Sequence, residues 1–376
     1  MSILIHIGTI VLNIIYTIMK LCPVQRKITY ISRQMNTVPL DFALTKECME
    51  KKYPQYKHKI LAKMIPSSLF GKINYCFYMF VQMYHIATSQ VVILDTYCIP
   101  ISILKQRDDL IVIQMWHALG AFKKFGYSIL DQEEGSSSTI AKLMKMHQNY
   151  TYVLSSSELT APYFQEAFHV RQEQIKIYPL PRVDLLLNQN EKKKIVDKIY
   201  SQYPSLKNTR KKIIVYAPTF RKGDNTLKDG VYNLLNHIDF DKYIVIFKKH
   251  PLTSLHIHDD RIIEDNEFTS LEFFHVADVM ITDYSAVLFE ASMLHKPIYF
   301  YAFDLKSYMK KRDFYVDYQT MMPGPVFEDP QLLIDAIENN EYDLQKIEEF
   351  QRLMIAPCQK SYTEDLVDFI YQQLQK

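Results

Sequence analysis

Two hydrophobic patterns alternate along this chain. Compact apolar runs bounded by polar residues or proline read as buried strands, and longer stretches with apolar residues every three or four positions read as helices. Strands are predicted at 27–33 (KITYISR), 90–95 (QVVILD), 109–116 (DLIVIQMW), 151–156 (TYVLSS) and 174–184 (QIKIYPLPRVD, running into a proline turn). Helices are predicted over 41–64, over 75–89 and from about Glu158. A polar, lysine-rich stretch at 188–212 separates this half from a second with the same alternation. There KIIVYAPTF, YIVIFKKHP, RIIED, DVMITD and KPIYFYAFD read as strands. VYNLLNHI, SLEFFHVA, YSAVLFEASMLH and a tail from Pro330 read as helices.

Short apolar strands separated by helices imply an α/β protein with parallel sheets covered on both faces. The expectation is two Rossmann-like domains, at 27–190 and 205–376, with their sheets facing a central cleft. Residues 1–26 form a separate element. In 3–21, His6, Thr9, Asn13, Thr17 and Lys20 recur at helical spacing and make one polar stripe, with Ile and Leu covering the rest. No basic n-region or small-residue cleavage site marks a signal peptide. An amphipathic helix lying in a membrane interface or docked on a partner fits best, with Lys20, Arg26 and Lys27 suited to an anionic leaflet. A core helix and a true span are the alternatives.

Composition then narrows the chemistry. The 376 residues carry a net charge of +2, without the basic footprint of a nucleic-acid binder, so no nucleic-acid partner is expected. Only 8 glycines occur, and no two are spaced as G-x-G, which removes the dinucleotide fingerprint and the Walker A loop. Phosphates must then be held by helix N-termini and side chains. The 5 cysteines are scattered, which argues against zinc ribbons and a disulfide framework and for a reducing compartment.

Ligands of open α/β sheets bind beyond the carboxyl ends of strands, so polar residues directly after strands are the candidates. His117, following DLIVIQMW and next to the only tryptophan, is a candidate general base, or a satisfied neighbour of a core Trp. Lys123 and Lys124 suit an anionic acceptor or a solvated face. After KIIVY, Pro218 fixes a turn, Thr219 supplies a hydroxyl and Arg221 suits a bidentate phosphate clamp. Lys248, Lys249 and His250 cluster after YIVI, where they would neutralise a pyrophosphate and a leaving phosphate. The run Thr282-Asp283-Tyr284-Ser285-Ala286 leads into a helix, with Ser285 as cap for an anion site and Glu290 for a ribose diol. A simple capped helix with a buried Glu290 is the bland alternative. His256 and His258 look metal-like by composition, and Asp239 and Asp241 have D-x-D spacing, but both lie in unsuitable places. No metal is expected.

Taken together, ITYISRQMNTVPLDF, QMWHALGAFKKFG, PLPRVD, YAPTFR, FKKHP, ITDYSAVLFEASMLHKPIYFY, FYVDY and PGP resemble the CDP-glycerol glycerophosphotransferase family, over about nine-tenths of the chain. The resemblance implies a GT-B-like fold and a role in bacterial teichoic-acid-type polymer synthesis. It implies transfer of glycerol phosphate or ribitol phosphate from CDP-glycerol or CDP-ribitol to a hydroxyl of a lipid-linked glycan or polyol-phosphate acceptor, with release of CMP and no cofactor. His117 would be the base. His250, Lys248 and Lys249 would hold the pyrophosphate, and Arg182 would lie near the donor. Pro218, Thr219, Ser285, Ala286 and Glu290 would form the cytidine-diphosphate pocket, with Arg221 and Asp283 beside it. Ala118, Leu119, Gly120 and Ala121 would line the substrate beside the base. A peripheral location on the cytoplasmic face of the membrane follows, and a homo-oligomer is compatible with it. The chain departs from the family at Ala118, at Ala286 and at Arg312-Asp313. The rival readings are a nucleotide-sugar glycosyltransferase of the same fold and a silent subunit scaffolding a membrane assembly.

Overall fold

The computed structural model describes every residue except Met1, Lys222, Gly223, Pro251, Leu252 and Ser254. The chain divides into two compact units, residues 1–184 with 356–376, and residues 185–355.

In the first unit, β1 (Lys27–Ser32), β2 (Lys57–Ala62), β3 (Val91–Leu94), β4 (Ile111–Gln114), β5 (Tyr152–Ser155) and β6 (Ile175–Ile177) form one sheet. All pairs are parallel, in the order β2-β1-β3-β4-β5-β6. From β1 the chain builds outward to β2 and then in the other direction to β3, so the topological switch point lies between β1 and β3. The central strands β1 and β3 are buried throughout, as expected for a sheet covered on both faces. The edge strand β2 alternates, and its exposed Lys57 and Lys59 blunt the open edge.

β2 corrects the expectation of one helix over 41–64. The helix Leu40–Lys52 stops before Pro54, which has no amide proton to continue it, and the chain re-enters the sheet.

The second unit holds β7 (Lys212–Ala217), β8 (Tyr243–Phe247), β9 (Ile262–Glu264), β10 (Val279–Thr282), β11 (Ile298–Tyr301) and β12 (Val326–Phe327). Its order is β12-β11-β10-β7-β8-β9, again all parallel, with the switch point between β7 and β10. Its core packs Ile214, Tyr216, Phe247 and Ile281 of the sheet against Leu227, Val231 and Leu234 of the helix Asp224–Leu235. The lysine-rich stretch expected as a separator is helical over Gln189–Gln202 and Pro204–Lys207 and belongs to this unit.

The tail departs from the predicted boundary. The helix Tyr362–Leu374 joins the first unit, not the second. Asp184 receives the Tyr362 and Thr363 amides at 3.0 and 2.8 Å, at the start of that helix. Lys52 pairs with Asp368, and the rings of Tyr53 and Tyr371 stack at 3.8 Å.

The helix Ser2–Met19 also belongs to the first unit and docks there through Asn13, Tyr16 and Lys20, while His6 and Thr17 of its polar stripe are exposed. Asn13 bonds the Ile103 carbonyl and the Lys105 amide, Tyr16 bonds Gln106, and Lys20 bonds the Lys105 carbonyl. The isoleucines point out: Ile3, Ile10 and Ile18 are 75%, 59% and 62% exposed. Lys27, expected to help at a membrane, is buried in β1, where its ammonium donates to Thr88. Among the described residues no helix is long and apolar enough to cross a membrane.

Candidate functional site

Each switch point carries a polar cluster built from residues that directly follow strands. In the first unit these are Arg33 and Gln34 after β1, Asp95 and Thr96 after β3, and Trp116 and His117 after β4. Gln114, the buried last residue of β4, orders this corner. Its amide nitrogen bonds the Thr96 carbonyl and the Tyr150 hydroxyl, and its oxygen takes the Trp116 amide. Trp116 holds φ at +64°, a conformation costly for a bulky side chain. Its indole is fixed between Phe125, stacked at 4.9 Å, and Phe168, edge-on at 5.2 Å.

The turn aims His117 back at β1 and β3. Its Nδ1 lies 2.9 Å from the Asp95 carbonyl oxygen and 3.0 Å from the Gln34 amide. A carbonyl can only accept, whereas an amide can present either end, so Nδ1 carries the proton and Nε2 the lone pair. Burial lowers the His117 pKa to about 4, with Arg182 pushing the same way and the Asp95 carbonyl and Asp41 opposing. The ring is therefore a neutral base at physiological pH. Asp95 is pushed up to about 6, mainly by burial, although Ser32 and Thr96 hydrogen bonds favour its charged form.

Arg182, expected near the donor, is engaged by Asp41. Its Nε donates to Asp41 at 2.9 Å, its amide bonds the same carboxylate, and a further nitrogen makes a close ion pair with it. The pair ties the start of the helix Arg182–Leu187 to the helix Leu40–Lys52 beside His117. Leu119 and Ala121 are buried, as is Gly120, so this segment can present only backbone to a ligand. Ala118, Lys123 and Lys124 are half-buried, with the Lys123 ammonium 5.9 Å from the Phe122 ring centre.

In the second unit the expected motifs meet at the β7/β10 switch point. The Thr282 hydroxyl bonds the Ala217 carbonyl, and the Thr219 amide donates to Asp283 at 2.8 Å. Among the described residues the buried Thr219 hydroxyl has no hydrogen-bond partner. The Ser285 hydroxyl accepts weakly from the Val287 amide at 3.4 Å, and the helix Val287–Ser292 starts beyond Ala286. Pro218 is buried and Glu290 is 6% exposed. His250 is half-buried, its ring 6.1 Å from that of Phe220. Pro251 of the same motif lies outside the described residues.

Four expected ligand-facing groups, Arg221, Asp283, Lys248 and Lys249, are engaged by other residues of the chain. Arg221 is no free clamp: its Nη2 bonds Asp283 at 2.9 Å and Asp304 at 3.0 Å, and its Nε bonds Asp304 at 2.8 Å. Its Nη1 donates to the Thr219 carbonyl, and its guanidinium lies over Tyr284 and Tyr308. Asp283 is fully buried and takes Arg221, the Thr219 amide and the Tyr284 amide. Lys248 is buried against Asp265, bonding its carboxylate at 3.0 Å and its carbonyl at 2.5 Å. Lys249 pairs with Glu264 at 2.8 Å. Buried cations need such partners, so these residues shape the loops that carry Thr219, His250 and Ser285.

Of the carboxylates that engage these cations, Asp265 and Asp304 escaped the sequence reading, although they stand just past strand ends as the chosen residues do. His256 lies 3.3 Å from Glu264, and among the described residues no three His, Cys, Asp or Glu side chains converge as a metal-ligand set.

Comparison with known proteins fits this geometry. The structure is similar to that of the wall teichoic acid polymerase TagF, with a TM-score of 0.73 at 22% identity over 100% of this chain and 97% of that one. At a TM-score of 0.58 and 12% identity it shares its fold with S. aureus MnaA, over 93% of this chain and 97% of that one. In sequence the chain is 36% identical over 333 residues to a teichoic acid ribitol-phosphate primase of Bacillus spizizenii, covering 85% of this chain and 84% of the relative. It is 32% identical over 296 residues to a teichoic acid glycerol-phosphate primase of Bacillus subtilis, covering 77% and 75%. A teichoic acid poly(ribitol-phosphate) polymerase of Bacillus spizizenii is 31% identical over 97% of this chain, which spans 59% of that relative's length. The family model for CDP-Glycerol:Poly(glycerophosphate) glycerophosphotransferase matches residues 14–372, and the chain belongs to that family.

Proposed function

We propose that this protein transfers a polyol phosphate from a CDP-polyol to a hydroxyl of a lipid-linked acceptor, releasing CMP. The observation that carries the reading is the neutral His117, fixed by Asp95 as an Nε2 base at the first unit's switch point. Nε2 takes the proton of the acceptor hydroxyl as its oxygen bonds to the phosphorus bearing the polyol. The bond from that phosphorus to the bridging oxygen breaks, and CMP leaves with the electron pair. In the second unit, Thr219, Ser285 and the neighbouring backbone amides bind the cytidine diphosphate. His250 in its protonated form offsets charge on the departing phosphate. Glu290 lies one turn into the helix from Ser285 and suits the ribose diol. The residues named here supply the acid–base and binding groups without a metal or cofactor.

The protein acts at a membrane surface. The outward isoleucines of the helix Ser2–Met19 are joined by Leu69, Phe70, Ile73 and Phe77 of the helix Leu69–Ala87, which packs against it. Exposed apolar faces of this extent mark a docking surface. A lipid-linked acceptor makes the cytoplasmic leaflet the natural partner.

The test is CMP release from CDP-glycerol and from CDP-ribitol, each with a lipid-linked glycerol-phosphate acceptor. Turnover with one donor establishes the reaction and the polyol together. Tight CDP binding without CMP release from either would sink the proposed reaction.

A further inference from the structure

Arg33 follows β1 at the first unit's switch point, and among the described residues it forms no ion pair. Its amide bonds Thr96 at 3.3 Å, its guanidinium carbon lies 5.2 Å from the centre of the Tyr97 ring, and its buried Nε has no hydrogen-bond partner. The other buried or half-buried cations of the two strand-end clusters differ. Arg182 has Asp41, Arg221 has Asp283 and Asp304, and Lys248 has Asp265. Lys27, buried, and Lys296, half-buried, donate hydrogen bonds to hydroxyl or carbonyl oxygens.

The aromatic side chains packed around Arg33 are uncharged. Tyr97 donates to the Met144 carbonyl, and His147 packs edge-on against Tyr97 and bonds Tyr150. Burial and the Arg33 charge keep His147 neutral, and Tyr75 and Cys98 nearby feel the same cation. Asp95 turns its carboxyl toward Ser32 and Thr96, and its pKa rises, the opposite of what a guanidinium partner would cause. A partly desolvated guanidinium with an unused donor is costly unless an anion completes it.

We propose that Arg33 binds a phosphate group of the acceptor, a phosphodiester or phosphomonoester oxygen close to the hydroxyl that is to be deprotonated. The position supports it. Arg33 sits at the β1/β3 crevice, where open sheets take ligands, and the next residue, Gln34, touches the His117 ring. A guanidinium in this place reads a phosphate by its fork and charge, and so selects an acceptor that already carries a polyol phosphate. The inference rests on the transfer reaction proposed above and deepens it.

The decisive experiment uses the full chain and its Arg33→Gln and Arg33→Lys variants. Turnover is measured against a lipid-linked acceptor bearing one glycerol phosphate, and separately against CDP-polyol. The expected result is a KM for the phosphate-bearing acceptor raised about tenfold or more in Arg33→Gln, with partial recovery in Arg33→Lys and an unchanged KM for CDP-polyol. An effect confined to the CDP-polyol KM would assign Arg33 to the donor and overturn the proposal, as would unchanged kinetics. Unchanged CDP binding and melting temperature in both variants show that they fold. If the wild-type chain turns over neither donor, the reaction reading fails by itself. The anion site is then judged by direct binding of a glycerol-phosphate trimer: loss of that binding in Arg33→Gln supports it, and equal binding overturns it.

Discussion

Nδ1 of His117 lies 2.9 Å from the backbone carbonyl oxygen of Asp95. Because the acceptor is main chain, no side-chain change at position 95 removes it, and the imidazole tautomer is set by the fold. The strained backbone of Trp116 belongs to the same arrangement, since it turns the chain so that the ring reaches β3. His117→Ala is expected to lower kcat by about 10²–10⁴-fold while leaving CDP affinity unchanged. Stopped-flow or discontinuous CMP assays with parallel CDP titration check this, and wild-type turnover in the variant would remove His117 as the base.

The same burial sets the pH dependence. Lowering the His117 pKa from an ordinary 6.5 to about 4 keeps the ring unprotonated through the mildly acid range. The acid limb of kcat/KM should therefore be centred near 4, well below that of a free histidine. Stability is also linked to pH. His85, His147 and His275 are pushed down to about 4, 3 and 4, chiefly by burial. The unfolded chain binds these protons first, so their contribution is complete above 6.5 and is lost as pH falls toward 4. Asp95 acts in the opposite sense: its raised pKa favours the folded state at low pH, and that contribution fades as pH rises through about 6. Four histidines against one aspartate leave a net loss on acidification. Denaturant titrations at neutral pH and in the mildly acid range should show the midpoint falling with pH, and a flat profile would contradict the burial of these rings.

The Arg221 cluster separates a structural from a ligand-binding role. Arg221 is 7% exposed and joins Asp283, at the β10 end, to Asp304, beyond β11. Arg221→Lys keeps the charge but loses the fork, and breaking such a buried pair costs about 3–5 kcal/mol. The variant should melt well below the wild type, whether or not CDP is present. A phosphate clamp would give the other pattern, an unchanged melting temperature with weakened CDP binding.

These contrasts show what was legible in the residues themselves. The strand periodicity placed most of both sheets through buried runs such as VVIL and IVIQ, but not the edge strands β2, which read as helix, and β12, which is two residues long. The rule that function follows strand ends brought His117, Thr219 and Ser285 to the two switch points. Charge alone did not reveal which cations were already paired. Lys248 and Asp265 are separated by a whole strand and loop, and Arg221 and Asp304 by far more, so no local spacing signals either pair. The return of the helix Tyr362–Leu374 to the first unit was equally hidden, because its partners Lys52, Tyr53 and Asp184 lie far back in the sequence. The amphipathic pattern of residues 3–21 was plain, but periodicity does not say which face turns inward. Asn13, Tyr16 and Lys20 settle that by bonding the backbone and side chains of residues 103–106.

That inverted orientation gives the last prediction. A helix that docks through Asn13, Tyr16 and Lys20 leaves its exposed isoleucines unsupported by the core, so charging them should cost little stability. Ile10→Glu with Ile14→Glu replaces two side chains that are 59% and 57% exposed, and surface changes of this kind usually stay within about 0.5 kcal/mol. On an anionic vesicle the same pair removes buried apolar area and adds repulsion from the leaflet, so binding should fall by about tenfold or more. Cosedimentation with phosphatidylglycerol-containing vesicles, set beside thermal melting, distinguishes the outcomes. Loss of vesicle binding at an unchanged melting temperature places the membrane surface on this helix. A large drop in melting temperature would mean that the isoleucines are covered in the folded protein, and equal vesicle binding would move the membrane contact elsewhere.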